Sequence, residues 1–169
     1  MSDSTSIEPG TAAGAPATWL VREASGDDAA AVAAAVEQLL VELGGKCPPS
    51  AALEAEARVL LGDPQVGSVL LAEAGCDVVG VLVTSWQRAM HVPGPYALIQ
   101  DLWVRPDWRS RAIGADLVDA MADLARRREV FRIEVGLPRE NFAGLAATEA
   151  FYGNNGFEQL GIRMRRLLP

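Results

Sequence analysis

A short turn in the second half of the chain combines two arginines with the start of a helix. An apolar strand, residues 98–104, ends just before Pro106, and the turn Arg-Ser-Arg-Ala-Ile-Gly runs from Arg109 to Gly114. An amphipathic helix then begins, and the backbone N–H groups of its first turn have no partner within the helix. These groups, the positive end of the helix dipole and the side chains of Arg109 and Arg111 favour a bound phosphate group. We therefore predict a phosphate-binding turn.

The turn differs from two common glycine-rich phosphate loops. A dinucleotide-binding loop reads G-x-G-x-x-G, with an acidic residue about 20 positions later, and a P-loop ends in G-K-[ST]. Neither pattern is present here. An ordinary strand-to-helix connection with surface arginines is the alternative interpretation.

Two carboxylates lie in predicted strands with apolar neighbours. Asp101 stands in Gln-Asp-Leu-Trp-Val and Glu134 in Arg-Ile-Glu-Val. Because strand side chains alternate between faces, each carboxylate can face a cleft and act as a general base, or it can hydrogen-bond a loop. The only histidine, His91, lies in a predicted loop at residues 86–95, where a histidine is more often simply exposed.

Composition limits the class of protein. The 169 residues suffice for one domain with a core, and 50% of them are hydrophobic. A net charge of −7 disfavours a nucleic-acid binder. Cys47 and Cys76 support neither a disulfide framework nor a zinc site. Because no membrane span or signal peptide is recognisable, we expect a cytoplasmic protein with no membrane partner and a flexible tail at residues 1–18.

Apolar periodicity and turn signals predict a single domain at residues 19–169, built of strands and helices. Strands are expected at residues 19–24, 69–73, 78–85, 96–104 and 131–136, with one or two more within 157–168. Helices are expected from Asp27 or Asp28 to Leu43, from a cap at Ser50 to about residue 61, over 113–128 and over 145–152. A hairpin turn is expected at residues 74–77, and another turn at 153–156.

The turn and the order of elements resemble those of the GCN5-related N-acetyltransferases. The pyrophosphate loop of that family reads R-x-x-G-x-G/A, and the segment from Arg109 to Ala115 matches it, with Ala112 where the first glycine usually stands. A second match is Ala-Phe-Tyr ending at Tyr152, followed by Gly-Phe ending at Phe157. The resemblance implies an α/β fold in which helices flank a mixed, mostly antiparallel sheet with splayed central strands.

The resemblance also implies transfer of an acetyl group from acetyl-coenzyme A (acetyl-CoA), the co-substrate, to an amine by direct attack in a ternary complex, with no metal. Backbone N–H groups from Ser110 to Ala115 would bind the pyrophosphate, and the backbones of Leu102 and Val104 would pair with the pantetheine arm. Tyr152 would protonate the departing thiolate as general acid. The implied cofactor-binding residues are Leu102, Trp103, Val104, Arg109, Ser110, Arg111, Ala112, Ile113, Gly114, Ala115 and Tyr152.

The chain departs from the family pattern at two places. Ala112 keeps the N–H group but adds a methyl group, which is harmless at negative φ and strained at positive φ. Many members place an asparagine seven residues before the tyrosine, where this chain has Leu145. Asn141 lies eleven residues before Tyr152, and Thr148 fits a variant of the motif without the asparagine. We therefore do not count Asn141 as a cofactor contact.

The resemblance leaves the base and the acceptor open. Polyamine acetyltransferases carry Glu-Asp at the positions of Gln100 and Asp101, so Asp101 is the first candidate base, with Glu134, His91 or a water chain as alternatives. The expected catalytic residues are therefore Tyr152, Asp101 and Glu134. The expected acceptor is a small-molecule amine. A peptide or protein acetyltransferase and a non-catalytic acyl-CoA-binding domain are the alternatives, and a homodimer is compatible with each of them.

Overall fold

A five-stranded sheet positions the residues singled out above. The computed structural model describes residues 18–161. The strands are β1 (Leu20–Glu23), β2 (Gly67–Ala74), β3 (Asp77–Ala89), β4 (Val92–Val104) and β5 (Ile133–Val135). The helices are α1 (Ala29–Glu42), α2 (Ser50–Gly62), α3 (Ile113–Arg127) and α4 (Leu145–Asn154), with short 3₁₀ turns at Gly26–Asp28 and Pro106–Trp108. The strands lie in sequence order across the sheet.

The first four strands pair antiparallel, and β4 and β5 pair parallel. The predicted hairpin turn joins β2 to β3, and Gly75 occupies it with a φ of +63°, which favours glycine. Parallel strands need a long crossover connection, and α3 supplies it between β4 and β5. The prediction of a mixed, mostly antiparallel α/β fold is confirmed.

The sheet buries one apolar cluster on each face. The helix α3 covers the first cluster with the stripe that its periodicity predicted: Ile113, Leu117, Val118, Met121, Leu124 and Ala125. On the opposite face α1 and α2 cover a second cluster, which includes Val32, Leu71, Val81, Val83 and Trp103. Gly80 of β3 lets the first turns of α3 approach closely, because a Cβ there would lie 3.0 Å from side-chain atoms of Ile113 and Leu117.

The prediction of a loop at residues 86–95 is wrong. The strands β3 and β4 continue through it, with Trp86 opposite Ala97 and Arg88 opposite Pro95, and the turn is confined to Met90 and His91. Proline and glycine at positions 93–95 signal a turn locally, but cross-strand pairing dominates that weak preference. His91 therefore lies exposed at the tip of a long hairpin.

Other boundaries also differ from their predictions. Pro49 is at the N-cap position of α2, and the hydroxyl of Ser50, the first helical residue, donates instead to Glu37 of α1 over 2.9 Å. Asp28 is at the N-cap position of α1 as expected. The strand β5 is shorter than predicted, and α4 extends to Asn154. Residues 157–161 form no strand, and the remainder of the predicted final strands, like residues 1–17 of the predicted tail, lies outside the described residues.

Among residues 18–161, no helix has both the length and the apolar character that a membrane crossing requires.

Candidate active site

The turn before α3 has the backbone geometry of an anion-binding loop. The φ angles are +61° at Ser110 and +69° at Ala112, and the residue between them, Arg111, does not have a positive φ. Left-handed residues in a tight turn can direct successive N–H groups toward one concave side. The first backbone bond into α3 runs from the Asp116 N–H to the Ala112 carbonyl, so within the described chain the N–H groups of residues 110–115 donate to no protein acceptor.

The positive φ of Ala112 means that its methyl group strains the backbone, which is the less favourable of the two cases considered for this residue. A left-handed conformation costs an alanine about 1–2 kcal/mol, and replacing it by glycine costs roughly 0.4–1 kcal/mol through the entropy of the unfolded chain. We expect Ala112→Gly to increase the free energy of unfolding by up to about 1 kcal/mol and to leave coenzyme A affinity unchanged or slightly higher, since every N–H group remains.

Denaturant unfolding and calorimetry with coenzyme A measure these two effects. The matched control is Ala122→Gly in the middle of α3, which should lose about 1 kcal/mol because its backbone is helical. An Ala112→Gly protein destabilised as much as this control would refute the strain assigned to Ala112.

Gly114, in the first turn of α3, lies against α4. A Cβ at this position would be 3.1 Å from Cε2 and 3.2 Å from Cζ of Phe151, whose ring contacts that of Tyr152 edge-on at 5.1 Å between centroids. Gly114 therefore permits close packing between the anion-binding loop and the helix that carries the candidate acid.

We expect Gly114→Val to displace Phe151 and to weaken coenzyme A binding at least 10-fold, with a loss of stability of about 1–3 kcal/mol from overpacking. Calorimetry with coenzyme A, on protein whose circular dichroism shows it to be folded, measures the affinity. Gly153→Val in α4 is the comparison, because a Cβ there meets no atom within 4 Å. An unchanged affinity in folded Gly114→Val protein would remove this loop from cofactor binding.

The strand β4 has an open backbone edge beside this loop. Its pairing with β5 ends at Ile99. The N–H of Arg105 donates to the Val79 carbonyl of β3 at 2.9 Å. In an antiparallel ladder, Val104 and Leu102 then direct their N–H and C=O groups away from β3, toward the side that β5 has left. An extended amide-bearing ligand can pair with such an edge.

A β-bulge separates the paired and open parts of β4. Val83 lies opposite Asp101 and Thr84 opposite Ile99, so Gln100 is the extra residue on β4. A bulge bends its strand and changes the direction of neighbouring side chains. It therefore determines how Asp101 is presented at the start of the open edge.

Asp101 is a half-buried carboxylate of β4. Among the described residues, none forms a hydrogen bond or ion pair with it. Burial raises its pKa above the ordinary value of 3.8, because the charged form loses water. A desolvated charge without a donor costs free energy, and such groups are concentrated at functional sites.

Tyr152 is buried, with 7% of its surface exposed. Its ring packs edge-on against Phe151 and Phe157, with centroids 5.1 and 5.2 Å away. Burial, and then the negative charge of Asp101, raise the pKa of the phenol to about 12. Within residues 18–161 its hydroxyl forms no hydrogen bond. The charge of Asp101 thus acts on a phenol that lies 51 positions later in the sequence.

Arg109 and Arg111 have different surroundings. The Nε of Arg109 donates to the Val104 carbonyl at 2.9 Å, and its Nη2 donates to both carboxylate oxygens of Glu42 at 2.8 and 2.6 Å. Arg111 is exposed, and its guanidinium lies 4.8 Å from the ring centroid of Trp108. Sequence reasoning missed Glu42, although an acidic residue at the end of a helix opposes the dipole and is itself a signal.

Other residues singled out from the sequence lie in more constrained places. Trp103 is buried under α1 and donates its Nε1 to Glu42 at 3.1 Å, so its side chain lies on the opposite face from α3. Glu134 accepts a hydrogen bond from the Nε of Arg132 at 2.8 Å. Thr148 donates to the Gly144 carbonyl within its own helix region. The roles predicted for Trp103 and Glu134 stay predictions.

Asn141 is exposed in a turn before α4. No cluster of three or more His, Cys, Asp or Glu side chains that could hold a metal ion occurs in the described part of the chain.

The family model "Acetyltransferase (GNAT) domain" matches residues 65–159, a segment that contains β4, the anion-binding loop and Tyr152. No curated protein sequence gives a significant match. The chain is similar to the crystal structure of a proposed acetyltransferase from Arthrobacter sp. FB24, with 28% identity, coverage of 98% of this chain and 100% of the other, and a TM-score of 0.73.

Two more distant structures share the fold. The aminoglycoside N-acetyltransferase AAC(6')-Iy, solved in complex with CoA, is 15% identical, with 89% and 95% of the two chains covered and a TM-score of 0.74. The aminoglycoside acetyltransferase meta-AAC0020 from an uncultured soil metagenomic sample, solved with sisomicin, is 18% identical, with 89% and 97% covered and a TM-score of 0.69. The chain belongs to the GNAT acetyltransferase family.

Proposed function

We propose that this protein is an acetyl-CoA-dependent N-acetyltransferase that acetylates the amine of a small molecule by direct attack in a ternary complex. The observation that carries the proposal is the pair of Asp101 and Tyr152. Both groups are desolvated, and within residues 18–161 neither has a hydrogen-bond partner. The charged carboxylate of Asp101 also costs stability where it stands, which favours a chemical role over a structural one.

The donor acetyl-CoA fits the geometry beside this pair. The N–H groups of residues 110–115, which donate to no acceptor among residues 18–161, suit a pyrophosphate. The Leu102 N–H and C=O and the Val104 N–H suit the amides of pantetheine, and the Val104 carbonyl already accepts a hydrogen bond from Arg109 Nε. A negative ligand also suits the exposed guanidinium of Arg111, whereas Arg109 is already paired with Glu42. The thioester supplies an activated acetyl carbon, and the remaining tasks belong to residues of this chain.

Asp101 suits the task of taking a proton from the acceptor. Burial raises the pKa of its carboxyl, which makes the carboxylate a stronger base than a solvated aspartate. A protonated amine, with a pKa of about 10.4, has no lone pair and must first release one proton to solvent before it can attack. Once the nitrogen attacks the carbonyl carbon, its proton becomes far more acidic. Asp101 is therefore assigned to the amine during attack, directly or through one water molecule.

Tyr152 suits the task of stabilising the departing sulfur. With a pKa of about 12 it stays protonated at neutral pH and can always donate. A thiol has a pKa of about 8.5, so complete proton transfer from this phenol to a solvated thiolate would be unfavourable by roughly 5 kcal/mol. Desolvation of the thiolate reduces that gap. We therefore assign Tyr152 a hydrogen bond to the sulfur as the C–S bond breaks, followed by proton transfer.

The proposed acceptor is a small cationic amine. Two proteins that share the fold are named aminoglycoside acetyltransferases, and one of them was solved with sisomicin. The negative charge of Asp101 favours a cation nearby. Both observations agree with an amine-bearing small molecule, and sisomicin is a reasonable first compound to test.

The test is a screen of amines with acetyl-CoA, in which free thiol release is measured. The panel contains aminoglycosides, aliphatic diamines, aryl amines and peptides with free N-termini or lysines. We expect acceptor-dependent thiol release with at least one small amine. Coenzyme A binding without release for any amine would favour a binding domain, and release with peptides alone would favour a protein acetyltransferase.

A further inference from the structure

Glu42, the last residue of α1, is held by two partners from elsewhere in the fold. Its Oε1 accepts hydrogen bonds from Trp103 Nε1 at 3.1 Å and Arg109 Nη2 at 2.8 Å, and its Oε2 accepts one from the same Nη2 at 2.6 Å. A carboxylate at the C-terminal end of a helix faces the negative end of the dipole. The helix dipole therefore destabilises the Glu42 carboxylate, and the hydrogen bonds from Trp103 and Arg109 offset this cost.

The contacts of Arg109 leave part of its guanidinium free. Its Nε donates to the Val104 carbonyl and its Nη2 to Glu42, whereas Nη1 donates to no residue among those described. Two contacts therefore fix the plane and the direction of a side chain that is otherwise half exposed. The next residue, Ser110, begins the left-handed part of the anion-binding loop.

We propose that Glu42 is a positioning residue for the pyrophosphate loop. Together with the Val104 carbonyl it orders Arg109 before the ligand arrives, so that Nη1 and the loop N–H groups form one prearranged set of donors. Ordering a long side chain beforehand removes an entropy cost from binding. The inference rests on the proposed function, since it assigns the anion to coenzyme A.

Two opposing effects of Glu42 on phosphate affinity must be compared. Its negative charge repels the pyrophosphate, but both side chains of the ion pair are at least one-third exposed, at 46% and 34%, and solvent screens the repulsion. Salt screens the direct hydrogen bonds between Arg109 and Glu42 less, because they act at contact distance. We therefore expect ordering to dominate.

The experiment compares Glu42→Ala, Glu42→Gln and wild type by calorimetry with coenzyme A and with pantetheine, which lacks the phosphates. Glu42→Ala should bind coenzyme A about 3- to 10-fold more weakly, and Glu42→Gln should recover most of the loss, because its amide oxygen still accepts from Arg109. Pantetheine affinity should be equal in all three proteins. The matched control is Glu37→Ala in the same helix, whose carboxylate accepts a hydrogen bond from Ser50 rather than from the loop.

A double substitution separates positioning from a general loss of structure. In an Arg109→Ala background, Glu42→Ala should have no further effect on coenzyme A affinity. If Glu42→Ala binds coenzyme A as tightly as wild type, or more tightly, the positioning role is refuted and the proposed function stands. If it weakens pantetheine equally, the effect is structural and the inference fails. If wild type binds no coenzyme A, the proposed function fails first and the inference with it.

Discussion

Replacing Tyr152 by phenylalanine is expected to lower kcat by about 10²–10⁴-fold, the usual contribution of a general acid. Only the hydroxyl is lost, and the ring keeps its edge-on contacts with Phe151 and Phe157. Since the hydroxyl forms no hydrogen bond with any residue among those described, its removal should leave the fold and coenzyme A affinity nearly unchanged.

The measurement is single-turnover thiol release with the acceptor found in the screen, alongside calorimetry with coenzyme A. Tyr96→Phe is the matched control, because Tyr96 is the only other tyrosine in the chain and lies in the paired half of β4. Wild-type turnover in Tyr152→Phe, under conditions where chemistry limits the rate, would leave Tyr152 as a packing residue.

Replacing Asp101 by asparagine should remove the part of the acid limb of the pH–rate profile that its carboxyl causes, leaving the part due to the acceptor amine, and should lower kcat/KM about 10²-fold or more near neutral pH. In wild type a protonated carboxyl cannot accept the amine proton, so activity should fall as pH decreases through the raised pKa of Asp101. The substitution also removes a negative charge close to Tyr152. The pKa of that phenol should therefore decrease from about 12, which ultraviolet titration in a Tyr96→Phe background can follow.

The direction in which Asp101→Asn changes the free energy of unfolding can also be predicted. A carboxyl whose pKa is raised on folding binds its proton more tightly in the folded state, so wild-type stability decreases as pH rises from 3.8 through the raised value. Asp101→Asn lacks that loss and should be at least as stable as wild type at pH 7. Asp119→Asn, an exposed carboxylate of α3, is the control for general charge effects. A strongly destabilised but active Asp101→Asn protein would show a structural carboxylate instead.

Local patterns were sufficient for much of the architecture. The apolar stripe of α3 was read at a spacing of three and four residues, and all six of its predicted members are buried. Gly75 marked the hairpin between β2 and β3. The phosphate-binding turn could be predicted because its arginines, its small residues and the helix that follows are adjacent in sequence. Hydrophobic periodicity and turn preferences depend on residues close together in the chain, so they can be predicted from one amino-acid sequence.

Pairing between distant segments could not be read in this way. The strands β3 and β4 continue through residues 86–95 because each satisfies the backbone of the other, although the local composition resembles a loop. The sign of φ at Ala112 was open in the sequence and follows from how the loop joins β4 to α3. The strand β5 ends at Val135 and leaves the edge of β4 open beyond Ile99, and this too depends on pairing between two distant segments.

By itself the sequence determined the order of the elements, the location of the loop and the identity of the residues able to do chemistry. Only the tertiary structure brought Asp101 near enough for its charge to raise the pKa of Tyr152, and it brought Glu42 to Arg109, which lies 67 positions later in the chain. The physical reason is that a desolvated charge or an ion pair acquires its energy from its surroundings, and those surroundings exist only after distant segments have packed together.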